Sequence, residues 1–384
     1  SFIISNPLTR QYFSGRHSLL QIIEIKTTIC HMITDIIKKL INKRREKKKI
    51  ARLINRVNSR LKNFSNSQYA ITDTEKRLLN AYYRRWNIKL TTFNFHDFHK
   101  RVTHNFDVRL IPEDIYFYKI DQYFNNWPMA RFIDNKTLYP ILFKNVRLPE
   151  DICYRQNGYW YNNKRQLINF EIVQGILSKE PHVFIKIAQE SYGGHGVKYL
   201  SSSVAAEYSK TIASDIVIQK PIEQSPVLSA INPSSVNTIR ILTFLRKDGS
   251  VKICSMILRM GIGDSKVDNA SSGGITVGIQ ESGNLKRKAY SVDGMCYDLH
   301  PTTGIEFDKI KIPNISLIKD LVLNQAPNFP HFRLISWDIA LDKDNCPILI
   351  EANLCDGELD FHQLNNGPVF GDETEEILSE VFSR

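Results

Sequence analysis

Ser336-Trp337-Asp338-Ile339-Ala340 is followed, across the polar stretch Asp342 to Cys346, by Ile348-Leu349-Ile350-Glu351-Ala352-Asn353. Both runs have the apolar, β-branched and aromatic content of strands, and the polar stretch between them suits a hairpin turn. Pairing the two runs brings Asp338 close to Glu351, thirteen residues further on. Glu351 and Asn353 are two apart and therefore share a strand face. Carboxylates within apolar strands are costly to bury alone, so something cationic must accompany them. Three hard oxygen donors with open positions suit magnesium held between protein and nucleotide phosphates. An ion-paired or hydrogen-bonded core carboxylate is the plainer alternative.

A second pattern lies upstream. Val183-Phe184-Ile185-Lys186-Ile187-Ala188 is an apolar strand with one lysine, and Ser191-Tyr192-Gly193-Gly194-His195-Gly196-Val197 follows it closely. Glycines allow backbone amides to approach phosphate oxygens, and the lysine supplies a compact positive charge beside them. A plain glycine-rich hairpin has the same composition. The stretch meets neither the Walker A pattern, which needs GK[ST], nor the dinucleotide fingerprint GxGxxG.

Further strands are expected at His182 to Ile187, Asp215 to Gln219, Thr238 to Leu245, Val251 to Met260, Leu334 to Leu341 and Pro347 to Glu351. Lys247-Asp248-Gly249-Ser250 between two of them reads as a hairpin turn. The N-terminal part is different. Leu20, Ile23, Ile33, Ile36, Ile37 and Leu40 fall at helical spacing and run into the basic cluster Lys43 to Lys49, and helical patterning resumes from Thr72 to Trp86. From Phe93 to Asp134 aromatic residues, histidine and proline dominate, with His96 and His99 three apart but no third ligand at zinc spacing. The fold class expected is α+β with a helical, basic N-terminal region.

Lys and Arg exceed Asp and Glu by 51 to 40, a net charge of +11 that would draw nucleotides, acidic glycans or an anionic membrane surface. The basic cluster has no recognised nucleic-acid reading module beside it, so no nucleic-acid partner is expected. It reads as the solvated face of a packed helix, with a peripheral membrane contact as the second expectation. Six scattered cysteines without a CxxC pair fit a reducing, cytoplasmic setting, and no run approaches the length of a membrane span or has the order of a signal peptide.

Taken in order, Lys186, the Gly193 to Gly196 loop, Gln219 to Ile222, Asn237-Thr238-Ile239-Arg240, Asp338 and Glu351-Ala352-Asn353 resemble the ATP-grasp superfamily. Leu258-Arg259-Met260-Gly261, Val267-Asp268-Asn269, Ser272-Gly273-Gly274-Ile275, His300-Pro301-Thr302-Thr303-Gly304 and Trp337-Asp338-Ile339-Ala340 resemble its sugar-transfer-associated family more narrowly. The resemblance runs from about Asp134 to the C-terminus. It departs from the superfamily at Ile187, where a proline commonly follows the lysine, and at His195, where a small or basic residue is usual.

The resemblance implies a nucleotide clamped between two α+β subdomains. The division of the chain expected is a basic helical region over 1–92, a pre-grasp region with a helical linker over 93–180, a glycine-loop lid over 181–222 and a metal-bearing subdomain over 223–384. Lys136 and Lys186 would meet the phosphates under Gly193, Gly194, His195 and Gly196. Gln219, Lys220 and Ile222 would hold adenine, Glu223 or its neighbour Gln224 the ribose, and Asn237 would complete the nucleotide site. Arg240 would face the transferred phosphoryl group, and Asp338, Glu351 and Asn353 would hold Mg2+. The likeliest second-substrate pocket is Arg259 with Asp268, Asn269, Ser271, Ser272 and Gly273, where Arg259 would clamp a carboxylate and Asp268 receive an ammonium.

The activity implied is an ATP- and Mg2+-dependent ligase that joins a carboxylate to an amine through an acyl phosphate. The substrates implied are an amino acid or related amine and a sugar-linked carboxylate in cell-surface polysaccharide synthesis, with a cytoplasmic location, at the inner membrane face as a second expectation. A kinase that phosphorylates a hydroxyl on the same fold is the alternative.

Overall fold

The computed structural model describes residues 43–189, 196–266, 268 and 273–383, together with Thr34, Ile37 and Ile41. The apolar pattern expected between Leu19 and Leu40 lies outside the described residues apart from Thr34 and Ile37. The chain divides into two compact units, Ser1–Arg56 and Val57–Arg384. In the first, residues 43–56 are helical and Lys43, Arg44, Arg45, Lys47, Lys48 and Lys49 are exposed. No helix among the described residues is long and apolar enough to cross a membrane.

The second unit is built on two antiparallel sheets. A six-stranded sheet takes β1 (Asp151–Gln156), β2 (Tyr159–Asn162), β3 (Leu167–Ile168), β4 (His182–Ile187), β5 (Val197–Ser201) and β6 (Ile216–Gln219) in the order β3-β2-β1-β6-β4-β5. Helices Phe170–Leu177 and Ser202–Thr211 close its core, in which Val173, Leu177 and Ala205 meet Val183, Ile185 and Ile218. This sheet starts at Asp151, so its strands lie on both sides of the 180/181 division expected from the sequence.

A seven-stranded sheet takes β7 (Thr238–Leu245), β8 (Val251–Met260), β9 (Ile275–Ile279), β10 (Leu285–Ser291), β11 (Cys296–Tyr297), β12 (Leu334–Leu341) and β13 (Pro347–Asn353) in the order β11-β10-β9-β8-β7-β12-β13. Every residue of β7 and β12 is buried, because apolar layers cover both faces. Ile239, Ile241, Ile335, Trp337 and Ile339 enter one core with helix Ile315–Gln325, through Ile318 and Val322. Leu242, Phe244 and Leu334 enter another with helices Asp73–Arg84 and Thr374–Phe382. With a side-chain period of two, Thr238 and Arg240 share the face of Leu242, and Ser336 and Asp338 share that of Leu334. The polar site is thus one end of a sheet face whose other end is apolar core.

The β7–β8 hairpin turns at Lys247-Asp248-Gly249-Ser250, with Arg246 N–H donating to the Ser250 carbonyl at 2.8 Å and Gly249 at φ +85°. The helix Asp73–Arg84 begins at a capping box in which the Thr72 hydroxyl and the Glu75 carboxylate each accept the other residue's backbone N–H. The aromatic stretch after Phe93 is helical over Asn94–Thr103. Its apolar residues Phe98 and Val102 are four apart and enter one small core with Val57.

Strands β1 to β3 and β9 to β11 were not among those expected. β2 and β3 lie at one edge of their sheet and β10 and β11 at one edge of theirs. Strand β10 carries the half-buried Lys286 and the exposed Arg287 and Lys288, which dilute the apolar signal.

Candidate functional site

A cleft of about 250 Å³ opens between the two sheets. Phe184, Lys186, Val197 and Gln219 line it from the six-stranded sheet, and Thr238, Arg240, Arg259, Asp338, Glu351 and Asn353 from the seven-stranded one. Of the other residues named from the sequence, Lys136, Lys220, Ile222 and Asp268 also line it.

Strand register explains the centre of the cleft. Asp338 is paired directly with Arg240 of β7 on one side and with Glu351 of β13 on the other. Arg240 grips Asp338 with both edges of a planar fork, Nε to Oδ1 and Nη2 to Oδ2, each at 2.7 Å. Its remaining Nη1 donates to Glu358 Oε2 at 2.6 Å. Arg259, paired with Thr238 across β7 and β8, donates Nη1 to Asp338 Oδ2 at 3.1 Å and places Nη2 3.8 Å from Asp268 Oδ1. Asp268 in turn accepts from the Thr238 backbone N–H at 3.1 Å and from the Thr238 hydroxyl. The result is a row of alternating charge running from Glu358 through Arg240, Asp338 and Arg259 to Asp268.

Burial opposes ionisation of Asp338, but the two guanidinium groups outweigh it and hold the carboxyl down to about 2. Lys136, also buried, donates Nζ to Glu351 Oε1 at 2.6 Å. Burial works against its charge, yet Glu351 and Asp134 raise its pKa overall. Lys186 is pushed down to about 8, first by burial and then by the charge of Lys136. Among the described residues no carboxylate lies within salt-bridge distance of Lys186, a placement that leaves its ammonium for an anionic ligand.

The residues expected to hold a metal offer hard oxygen donors in one place, although Arg240, Arg259 and Lys136 already bond the two carboxylates. Asp338, Glu351 and Asn353 line one cleft, and the Asn353 amide donates Nδ2 to the Ser336 carbonyl at 3.1 Å, which leaves its oxygen as an acceptor. Two carboxylates and an amide oxygen are an appropriate donor set for Mg2+ shared with phosphates. Among the described residues no group of three or more His, Cys, Asp or Glu side chains is placed to hold a metal.

Some expected site residues lie elsewhere. Asn237 is fully buried, and its amide donates to the carbonyls of Leu228 and Asn232, so it braces the chain ahead of β7 and does not line the cleft. Glu223 is at the surface in a 3.0 Å ion pair with Lys343. Lys220 lines the cleft but bridges Glu150 and Glu180 at 2.7 and 3.2 Å. Gly273 is exposed at φ +87°. Gly193, Gly194, His195, Asn269, Ser271 and Ser272 lie outside the described residues. Gly196 closes the β4–β5 hairpin at φ +83°, where a Cβ would come within 2.6 Å of Ile187 Cδ1, so glycine is required.

Several lining residues escaped the sequence reading. Phe184 and Val197 supply apolar walls at the β4–β5 hairpin, and Lys266, Asp356, Gly357 and Glu358 come from loops. Phe184 carried a usable signal, since it lies two residues before Lys186 on the same strand face. The loop residues carried none, because their position depends on contacts remote in sequence.

Residues 121–378 match the family described as sugar-transfer associated ATP-grasp. Similar solved structures include the ATP-grasp ligase PsnB complexed with its minimal precursor, at 13% identity and a TM-score of 0.38, covering 66% of this chain and 63% of that one. Another is D-cycloserine synthetase DcsG, at 12% identity and a TM-score of 0.42, covering 66% and 73%. A third is N5-carboxyaminoimidazole ribonucleotide synthetase from Thermotoga maritima, at 8% identity and a TM-score of 0.35, covering 62% and 49%. The chain spans less than two thirds of the length of PsnB. No curated protein matches it. With a match across two sheets, the cleft between them and every described residue of the central charged row, the chain belongs to the sugar-transfer-associated ATP-grasp family.

Proposed function

We propose that this protein is an ATP- and Mg2+-dependent carboxylate–amine ligase that works through an acyl phosphate. The observation that carries the reading is the convergence of Lys136, Lys186, Arg240 and Arg259 on the same cleft as Asp338, Glu351 and Asn353. Phosphoryl transfer to a carboxylate brings several negative oxygens together, and the main requirement is positioning with charge neutralisation. Asp338, Glu351 and Asn353 would hold Mg2+, which would supply charge neutralisation at the phosphates.

Each protein group has a role that its environment supports. Lys186, with its lowered pKa and no carboxylate partner among the described residues, answers an incoming phosphate. Lys136 is held in place by Glu351 and contributes fixed charge at the same end. Phe184, Val197 and Ile222 give the apolar walls that a purine requires, with Gln219 and Lys220 at its edge. Arg240 and Arg259 sit where an acyl phosphate or a carboxylate would need a planar cation. Asp268 provides a negative charge for the approaching ammonium. The substrates we favour are an amino acid or related amine and a sugar-linked carboxylate used in surface polysaccharide synthesis, at a cytoplasmic site.

The test is Mg2+-dependent phosphate release from ATP with a panel of uronic acids and amino acids, followed by mass spectrometry. An amide product together with ADP establishes the ligase and both substrates. A phosphorylated hydroxyl compound without condensation makes the protein a kinase instead.

A further inference from the structure

The segment from Gly261 to Gly274 contributes Lys266 and Asp268 to the cleft. Asp268 is held by Thr238 and Arg259 as described above. The start of the segment is tied down by a turn that lies outside the cleft lining, His300-Pro301-Thr302-Thr303-Gly304.

His300 is fully buried, and its Nε2 lies 3.0 Å from the Gly261 carbonyl. A carbonyl can only accept, so Nε2 carries the proton and Nδ1 is the acceptor, 3.4 Å from the Thr302 backbone N–H. Burial keeps the imidazole below its usual pKa, which favours this neutral form. The Thr302 hydroxyl oxygen accepts the Gly263 backbone N–H at 2.7 Å. The Thr303 hydroxyl donates to the Ile231 carbonyl at 2.8 Å, at the end of helix Pro226–Ile231 that precedes β7. The turn is itself closed by the Gly304 N–H on the His300 carbonyl at 2.8 Å. Three side chains thus hold Gly261, Gly263 and Ile231 in one arrangement, two residues on the segment and one on the chain leading to Thr238.

Between these anchors stands Lys266. It is exposed, lines the cleft, and among the described residues has no carboxylate within salt-bridge distance.

We propose that the His300–Gly304 turn is a positioning device that sets residues 261–266, and with them Lys266 beside Asp268, for the substrate other than ATP. Only the identity of that substrate rests on the ligase reading. Among the described residues the turn touches none of those assigned to nucleotide or metal, so its loss should leave nucleotide binding in place.

The experiment is hydrogen exchange on the full chain, read by mass spectrometry, with Thr302→Val and Thr302→Ser, together with MgADP affinity for each. Thr302 is exposed, so the valine variant removes one acceptor without disturbing a core. Peptides covering 261–266 should exchange about fivefold faster in Thr302→Val, the effect of losing one hydrogen bond. They should return to wild-type behaviour in Thr302→Ser, with β7 and β8 unchanged and MgADP affinity unaltered in both. With the carboxylate and amine found in the product assay, Thr302→Val should raise their KM and leave that for ATP alone. Unchanged exchange over 261–266, faster exchange throughout β8, or an equal loss of MgADP affinity would each overturn the proposal. A protein that forms no amide while the exchange result holds refutes the ligase reading and leaves the positioning role standing.

Discussion

Asp338 stands between Arg240 and Glu351 in a single cross-strand row, and it is the arginine, not the carboxylate, that takes up both of its oxygens at 2.7 Å. Two acidic residues that the sequence places side by side therefore have different partners. Asp338 is neutralised by Arg240 and Arg259, and Glu351 by Lys136. Magnesium entering this site would meet carboxylates already oriented by cations.

Replacing Glu351 with glutamine should abolish ATP turnover while sparing the fold. The amide oxygen can still accept from Lys136, but the negative charge for a cation is gone. Loss of about a hundredfold or more in Mg2+-dependent phosphate release is expected, the scale on which single charge-stabilising groups act. Wild-type turnover at equal magnesium would remove Glu351 from the metal site.

Asp338→Asn should destabilise the protein by about 3–5 kcal/mol, because it removes the carboxylate shared by two buried guanidinium groups and leaves them only Glu358 and Asp268 at their outer ends. Its pH signature follows from the depressed carboxyl. The wild-type contribution is fully present above the ordinary value of 3.8 and is lost as pH falls through about 2. Urea unfolding as a function of pH should show that loss in the wild type and not in the variant.

Lys186 should take up a proton when nucleotide binds. Its folded value of about 8 lies below the ordinary 10.5, so between these limits the unfolded chain binds more protons and stability rises with pH. Phosphate beside the ammonium favours its charged form. Calorimetry of MgADP binding at a pH of about 8.5, in buffers of different ionisation enthalpy, should reveal proton uptake that Lys186→Met lacks. Equal uptake in both proteins would assign the proton to another group.

Glu358→Gln should improve anion binding. Glu358 is partly exposed and holds the outer nitrogen of Arg240 at 2.6 Å. Weakening that contact frees a donor at the cleft while Asp338 keeps the arginine in place. Inhibition by inorganic phosphate should strengthen about threefold, a modest effect because surface-exposed pairs are screened. Unchanged inhibition would place the anion away from Arg240.

The central strands were legible in sequence. The bounds of β7, β8 and β12 coincide with their apolar runs, and pairing β12 with β13 through the polar turn brings Asp338 opposite Glu351 as the spacing implied. Lys186 was legible as a lone charge within an apolar strand, and the β7–β8 turn by its Asp-Gly step. Edge strands were less legible, because solvent permits Arg287 and Lys288 in the middle of β10 and a carbonyl partner, Asn365, accommodates Lys286. Asn237 and Glu223 show the other difficulty. A buried amide that braces the backbone and a surface glutamate paired with lysine have the same residue types as ligand contacts, and only their partners distinguish them.

By itself the sequence determined the periodic elements and the local sets they carry, since a strand's facing residues follow from a period of two and a hairpin's partners from its turn. The tertiary structure decided which charge meets which. Lys136 reaches Glu351 across 215 positions, Arg240 reaches Asp338 across 98, and Glu358 comes to Arg240 from a loop with no pattern of its own. These pairings are set by the need to neutralise charge wherever packing buries it, and that need arises only once distant segments share the same low-dielectric space.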